Sequence, residues 1–145
     1  MKLRISTKND KIVFVEGNVF DKNFYRIFNL DVLAPFLKKG FNVQTATYME
    51  MEKNNTCNLN PYIIKGEISK ENAQEIIDRH LDEQIANGWK RIAICPISIE
   101  NLKGCEADEF YMNCIYNWMN THDKDVENLF IIDMSVKTNI TEQKI

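Results

Sequence analysis

The sequence predicts a compact α/β domain, a mixed sheet flanked by helices, and three observations carry that prediction. Bulky apolar runs at 11–16, 90–96 and 128–133 are nearly continuous, as in strands covered on both faces. Two longer segments, 69–87 and 106–120, space their apolar residues three and four apart, the signature of an amphipathic helix. Across 62–133 the order is strand, helix, strand, helix, strand, which suits a layered α/β arrangement. With 145 residues, 44% hydrophobic and 27% charged, the chain can bury one sizeable core and leaves little room for a second. The domain is expected over 1–137, followed by a polar C-terminal tail at 138–145.

Each element has its own local reason. Leu3 and Ile5 alternate with Lys2 and Arg4, so 2–6 is expected to pair antiparallel with 11–16 across an Asn9-Asp10 turn. Gly17-Asn18 closes that second strand. Over 21–39 the apolar spacing is broadly helical but Pro35 interrupts the ladder, so two short helices are expected, the second over 33–39 and stopped by Gly40. A strand with polar alternation should follow at 42–48, and the four asparagines within 50–60 mark a loop. Residues 61–65 read as a short strand ending at Gly66. Ser69 is placed to cap the helix at 69–87, where Ala73, Ile76, Ile77, Leu81 and Ile85 form the apolar stripe and Gly88 ends it. After the strand at 90–96, residues 97–104 form a loop, and Phe110, Tyr111, Cys114, Ile115, Trp118 and Met119 face the core from the next helix.

Composition excludes several function classes. Eighteen Lys and Arg against 21 Asp and Glu leave a net charge of −3, which offers no broad attraction for a nucleic-acid backbone. No apolar run approaches a membrane span and the opening residues lack a secretory signal, so a cytoplasmic protein is expected. Cys57, Cys95, Cys105 and Cys114 have no close paired spacing and only His80 and His122 accompany them, so reduced thiols and no metal site are expected.

The loop from Ser98 to Gly104 is the most informative candidate site, because an irregular segment between a strand's carboxyl end and a helix start can aim amides at an anion. Ser98 can donate its hydroxyl, Asn101 can donate its amide or take an unusual backbone state, and Gly104 can permit a tight helix entry. The same residues also suit an ordinary turn. Asn18 can contact a base or ribose, or end its strand through a side-chain turn. His80, at the edge of the apolar stripe, suits either proton transfer or packing. The His122-Asp123 pair reads as a base with an acidic neighbour in a loop or as plain surface. Asp78 and Asp82, and Arg79 and Glu83, stand four apart on one helix and read as solvated surface.

Residues 91–98, followed by Asn101, Gly104 and Glu106-Ala107, resemble the late strand, phosphate-binding loop and following helix of macrodomains, which commonly bind ADP-ribose or related ligands. Residues 62–65, 69–87 and 129–133 resemble the elements on either side, so the likeness runs chiefly over 62–133. Residues 12–20 are similar to the opening strand and adenosine-side turn, with Asn18 where an acidic residue is common. The family's asparagine-rich catalytic strand and glycine-cluster loop have no counterpart, and Asn101 stands where a phosphate-loop glycine is usual. The resemblance therefore implies a binding module for ADP-ribose or a related nucleotide-like ligand, with no obligatory cofactor and no residue assigned to catalysis. Ser98, Asn101 and Gly104 would hold phosphate oxygens and Asn18 the adenosine side. Two other functions stay open: an ADP-ribosyl-processing hydrolase, and a degenerate macrodomain-like module with a protein partner.

Overall fold

A computed structural model describes residues 2–17, 28–38, 57–133 and 143–144. Asn18 and the strand expected at 42–48 lie outside the described residues, as does most of the loop expected at 50–60. The elements run β1 (Lys2–Ile5), β2 (Ile12–Glu16), β3 (Val32–Leu33), β4 (Phe36–Lys38), β5 (Asn58–Leu59), β6 (Tyr62–Ile64), α1 (Ala73–Ala86), β7 (Arg91–Ile94), α2 (Gly104–His122), a 3-10 turn (Asp123–Asp125), β8 (Asn128–Asp133) and β9 (Gln143–Lys144).

Seven strands form a mixed sheet in the order β5-β3-β7-β8-β2-β1-β9, and β4 and β6 form a separate parallel pair. β5, β3, β7, β8 and β2 are parallel, with Ile92 opposite Leu129 and Phe14 opposite Ile131. β1 turns back antiparallel to β2 with Leu3 opposite Val15, as its alternation predicts. Gln143–Lys144, within the segment expected to be a tail, pairs antiparallel with β1.

Strand periodicity divides the core in two. Ile12 and Phe14, Ile92 and Ile94, and Leu129 and Ile131 face one side, where they pack with Ile77 and Leu81 of α1 and Tyr111, Ile115 and Trp118 of α2. Val13 and Val15, Ala93, and Phe130 and Ile132 face the other, where they meet Phe28, Leu30 and Leu33. Both faces being covered explains why the three central strands read as continuous apolar runs.

Over the described part of the helix expected at 33–39, residues 33–38, the chain is instead strand, broken at Ala34-Pro35. β3 pairs with β5 and β4 with β6 at one constant register, Leu33 opposite Leu59 and Phe36 opposite Tyr62, so Pro35 falls opposite Pro61. Asn60 and Tyr62 donate their amides inward to the carbonyls of Leu33 and Pro35, both at 2.9 Å. The intervening Pro61 therefore has its nitrogen on the outer edge, where no ladder bond is lost. The apolar run that looked helical is buried from both sides: Val32, Leu33, Ala34, Phe36 and Leu37 are all at or below 6% exposure. A helix cannot bury every position of such a run against one sheet, whereas a strand inside a layered fold can.

At the amino ends of the parallel strands, Asp31 holds three segments together. Its Oδ2 accepts the amides of Lys90 and Arg91 at 2.8 and 2.9 Å, and its carbonyl accepts both the backbone amide and the side-chain amide of Asn58. Ser69 does not cap α1 with its hydroxyl; its carbonyl accepts the Ala73 amide, and Asn72 Oδ1 accepts the Ser69 amide at 2.7 Å.

Candidate functional site

A cleft of about 510 Å³ opens at the carboxyl ends of β6 and β7, against the start of β4. Its walls come from Phe36, from the turn at 64–68 and from the loop at 96–100. The loop is extended and alternates: Ile97 and Ile99 are buried at 8% and 3% exposure, while Ser98 and Glu100 are exposed. Two apolar anchors thus seat a segment whose polar side chains stay accessible. The Glu100 amide donates to the Ile68 carbonyl at 2.7 Å, joining the two walls, and the Leu102 amide donates to Ile99 O at 3.1 Å. Both amides are already used within the protein, and the loop's exposed polar side chains on the cleft are those of Ser98 and Glu100.

Of the residues singled out in the sequence, Ser98 lines this cleft, whereas Asn101 and Gly104 do not. Those two serve the loop's path. Asn101 takes φ +67° and Gly104 φ +57°, the left-handed region in which asparagine and glycine are best tolerated. Gly104 is the first residue of α2 and Lys103 its N-cap, without a side-chain capping bond. The parts of the cleft that the sequence did not single out are Phe36, hidden by the helical reading of its segment, and Glu67 and Glu100, each isolated in a loop. Gly66 beside Glu67 marked a turn, the one local signal there.

His80 stands behind this wall. It is buried, with Nε2 2.9 Å from Ala34 O and Nδ1 3.3 Å from Gln84 Nε2, and its ring meets Phe36 and Tyr62 edge-on at 4.9 and 5.5 Å. The neutral ring satisfies both bonds if Nε2 donates to the carbonyl and Nδ1 accepts from the amide. Gln84 in turn accepts from Asn60 Nδ2 at 3.1 Å, so one hydrogen-bonded chain ties the end of β5 and α1 to the break between β3 and β4. The His80 ring packs against Phe36, which lines the cleft. Burial lowers the His80 pKa below the ordinary 6.5, outweighing the opposing effect of the Ala34 carbonyl. A lowered folded-state pKa means the unfolded chain binds more protons, so this stability is complete above about pH 6.5 and is lost as pH falls through the folded value. Urea unfolding of the wild type and of His80→Phe is expected to show a smaller loss of stability on acidification in the variant; parallel slopes would contradict the assignment.

The second histidine is also structural. His122 ends α2 and stacks on Trp118, centroids 4.4 Å apart and planes 7° from parallel. Its acidic neighbour is Asp82 of α1, with Nε2 3.1 Å from Oδ1, rather than Asp123, which holds Lys11 and Asn9. On α1, Arg79 pairs with Glu75 at 2.6 Å and Asp78 accepts from Gln74. None of the four cysteines forms a disulfide. Burial pushes the Cys57 thiol up to about 12, so it is not a nucleophile near neutral pH, and Cys57 packs against the second core cluster. Cys95 is a buried side chain beside Phe36 O, as its strand position suggests. Among the described residues, no three His, Cys, Asp or Glu side chains converge as a metal site requires, and no helix is long and apolar enough to cross a membrane.

A second hollow of about 470 Å³ lies at the opposite end of the parallel strands, between the turn at 6–11 and α2, lined by Lys8, Asn9, Tyr116 and three asparagines of α2. Its Tyr116 hydroxyl is bonded to Ser6 at 2.8 Å, and Lys8 lies over the Tyr116 ring.

The parallel strands with helices on one face and a cleft at their carboxyl edge define an α/β domain of the kind that places ligands where the strands end. Its fold is macrodomain-like. A Trypanosoma brucei macrodomain, solved in one crystal form, superposes with a TM-score of 0.65 over 92% of this chain and 68% of that one, at 12% identity. A Trypanosoma brucei macrodomain in complex with ADP superposes with a TM-score of 0.61 over 86% and 64%, again at 12% identity. The chain spans about two thirds of the length of these structures. No family model matches the sequence. No curated protein matches it either.

Proposed function

We propose that this chain is a binding module for ADP-ribose or a related nucleotide-like ligand, received in the cleft at the carboxyl ends of β6 and β7. The observation that carries the reading is the position of that cleft in a macrodomain-like fold, walled by the loop that leaves a central parallel strand. That one of the similar structures is an ADP complex supports the same ligand class. Phe36, Ile64 and Ile97 offer an apolar surface to a base or ribose face, and Ser98 offers a hydroxyl to a phosphate oxygen. Asn101 and Gly104 contribute by bending the loop, and Asn18 is the proposed contact on the adenosine side. Both histidines are engaged in packing and hydrogen bonds, which favours binding over turnover.

Calorimetry with ADP-ribose, and with ADP, AMP and inorganic diphosphate as controls, tests the reading. ADP-ribose should bind saturably and diphosphate far more weakly. Ser98→Tyr, which fills the cleft from an exposed position, should weaken binding at least about tenfold while changing stability by no more than about 0.5 kcal/mol. A folded wild type that binds none of the nucleotides removes the proposal.

A further inference from the structure

The turn between α1 and β7 carries a reactive pair of residues far from any cleft. Asn87-Gly88 is the one Asn-Gly pair in the sequence, and both residues are exposed. In such a pair the glycine nitrogen can attack the asparagine side-chain carbonyl, because glycine has no Cβ to crowd the approach. After a base takes the Gly88 amide proton, a bond forms between Gly88 N and Asn87 Cγ, the bond from Cγ to Nδ2 breaks, and ammonia leaves with a proton from solvent. Water then opens the cyclic imide, giving aspartate when it adds at Cγ and isoaspartate when it adds at the main-chain carbonyl. The sum converts an amide and water to an acid and ammonia, with no oxidant or cofactor. We propose that Asn87 is a deamidation site, and that the carboxyl end of α1 is a conformational lock that holds it closed in the folded chain.

Three features of the turn oppose the attack. Asn87 caps α1 with φ −82° and ψ 0°. At that ψ the Gly88 nitrogen eclipses the backbone nitrogen of Asn87, a third of a turn from the Cβ that ring closure must bring alongside it. The nucleophile is held as well: the Gly88 amide donates to Ile85 O at 2.9 Å, so its proton is less free to leave. The leaving group is held too, since Asn87 Nδ2 donates to Glu83 O at 2.8 Å. The Trp89 amide donates to Gln84 O at 3.2 Å, and with Gly88 at φ +82° the two bonds make a Schellman turn. Exposure means that solvent reaches the pair whenever this helix end frays, so the protection is conformational and not a matter of burial.

The product cannot rebuild the lock. Aspartate at 87 has no Nδ2 to donate to Glu83 O, and it sets a negative charge beside the helix's terminal carbonyls and four residues from Glu83. Isoaspartate lengthens the backbone by one atom between α1 and β7, which moves the Trp89 amide off Gln84 O. Each opening that leads to reaction is therefore irreversible and leaves the turn weaker than before.

Peptide mapping by mass spectrometry tests this on the intact protein, incubated in mildly alkaline buffer with and without denaturing guanidinium chloride. In the unfolded chain Asn87 should convert faster than the other asparagines, with isoaspartate as the larger product. In the folded chain its conversion should be at least about tenfold slower. Asn87→Gln should abolish the fast conversion in denaturant, since the longer side chain must close a larger ring. Asn87→Asp should fold with a lower urea midpoint. Equal rates at Asn87 in the folded and unfolded chains overturn the lock. Conversion of Asn87 no faster than that of the other asparagines in denaturant overturns the site, and an unchanged midpoint in Asn87→Asp overturns the loss of the turn on reaction.

Discussion

Trp118→Ala is expected to lower the free energy of unfolding by about 4 kcal/mol, the usual cost of emptying a large aromatic site in a core. Trp118 is 1% exposed and packs from α2 among the side chains that α1 and the sheet bring together. Its ring does two further things. The indole Nε1 donates to Asp82 Oδ1 at 2.9 Å, and the stacked His122 presents Nε2 to the same oxygen at 3.1 Å. One carboxylate of α1 thus receives two groups from α2, which sets how the helices sit against each other. Trp118→Phe keeps much of the buried ring but leaves Asp82 without the indole, and should cost about 1 to 2 kcal/mol. Urea denaturation of the two variants separates the contributions. If phenylalanine proves as costly as alanine, the hydrogen bond contributes more than the burial does.

Arg91→Ala should cost about 3 kcal/mol, in the range for loss of several charge-assisted hydrogen bonds at a partly buried site. The Arg91 guanidinium donates to Phe28 O through Nε at 2.9 Å and Nη2 at 2.6 Å, and to Asn128 Oδ1 through Nη1 at 2.7 Å. It also lies 5.3 Å from the Phe130 ring centroid and pairs with Glu127 at 3.2 Å. The segment entering β3, the start of β7 and the start of β8 are therefore held by one side chain. The Glu127 pair adds little, since that carboxylate is 61% exposed. Lysine cannot reproduce the planar fork, so Arg91→Lys should recover less than half of the loss. Full recovery by lysine, measured by the urea midpoint, would mean that charge alone matters there. Because this clamp is at the amino ends of the strands and the cleft at their carboxyl ends, either variant should bind ligand normally while folded.

The central strands and both helices were legible because their signals are local. Ile12–Glu16, Arg91–Ile94 and Asn128–Asp133 are apolar at every core position, and α1 and α2 repeat theirs at helical spacing. The hairpin of β1 and β2 was equally plain from Leu3 and Ile5. The segment around Pro35 was not, because an apolar run that can be buried on all sides has no face to show, and its periodicity does not separate strand from helix. The constraint that decides it is the matching break at Pro61, a partner 26 residues further on in the parallel register. His80 was ambiguous for a related reason: its position on the stripe says that it is near the core, and only Ala34 O and Gln84 show that it is satisfied there.

The candidate site divides the same way. A loop at 97–104 between a strand and a helix was readable, and so was the conformational demand at Asn101 and Gly104, since both residue types tolerate positive φ. By itself, then, the sequence determined an α/β domain, the order of its central elements and the loop that borders its cleft, because periodic burial and turn chemistry act over a few neighbouring residues. Only the tertiary structure decided that Phe36 reaches the cleft from a strand, that Ser98 faces it while Asn101 and Gly104 do not, and that the turn at 64–68 meets the loop at 96–100 across it. Those outcomes depend on which strand ends the parallel sheet brings side by side, a property of long-range register that no short stretch of residues contains.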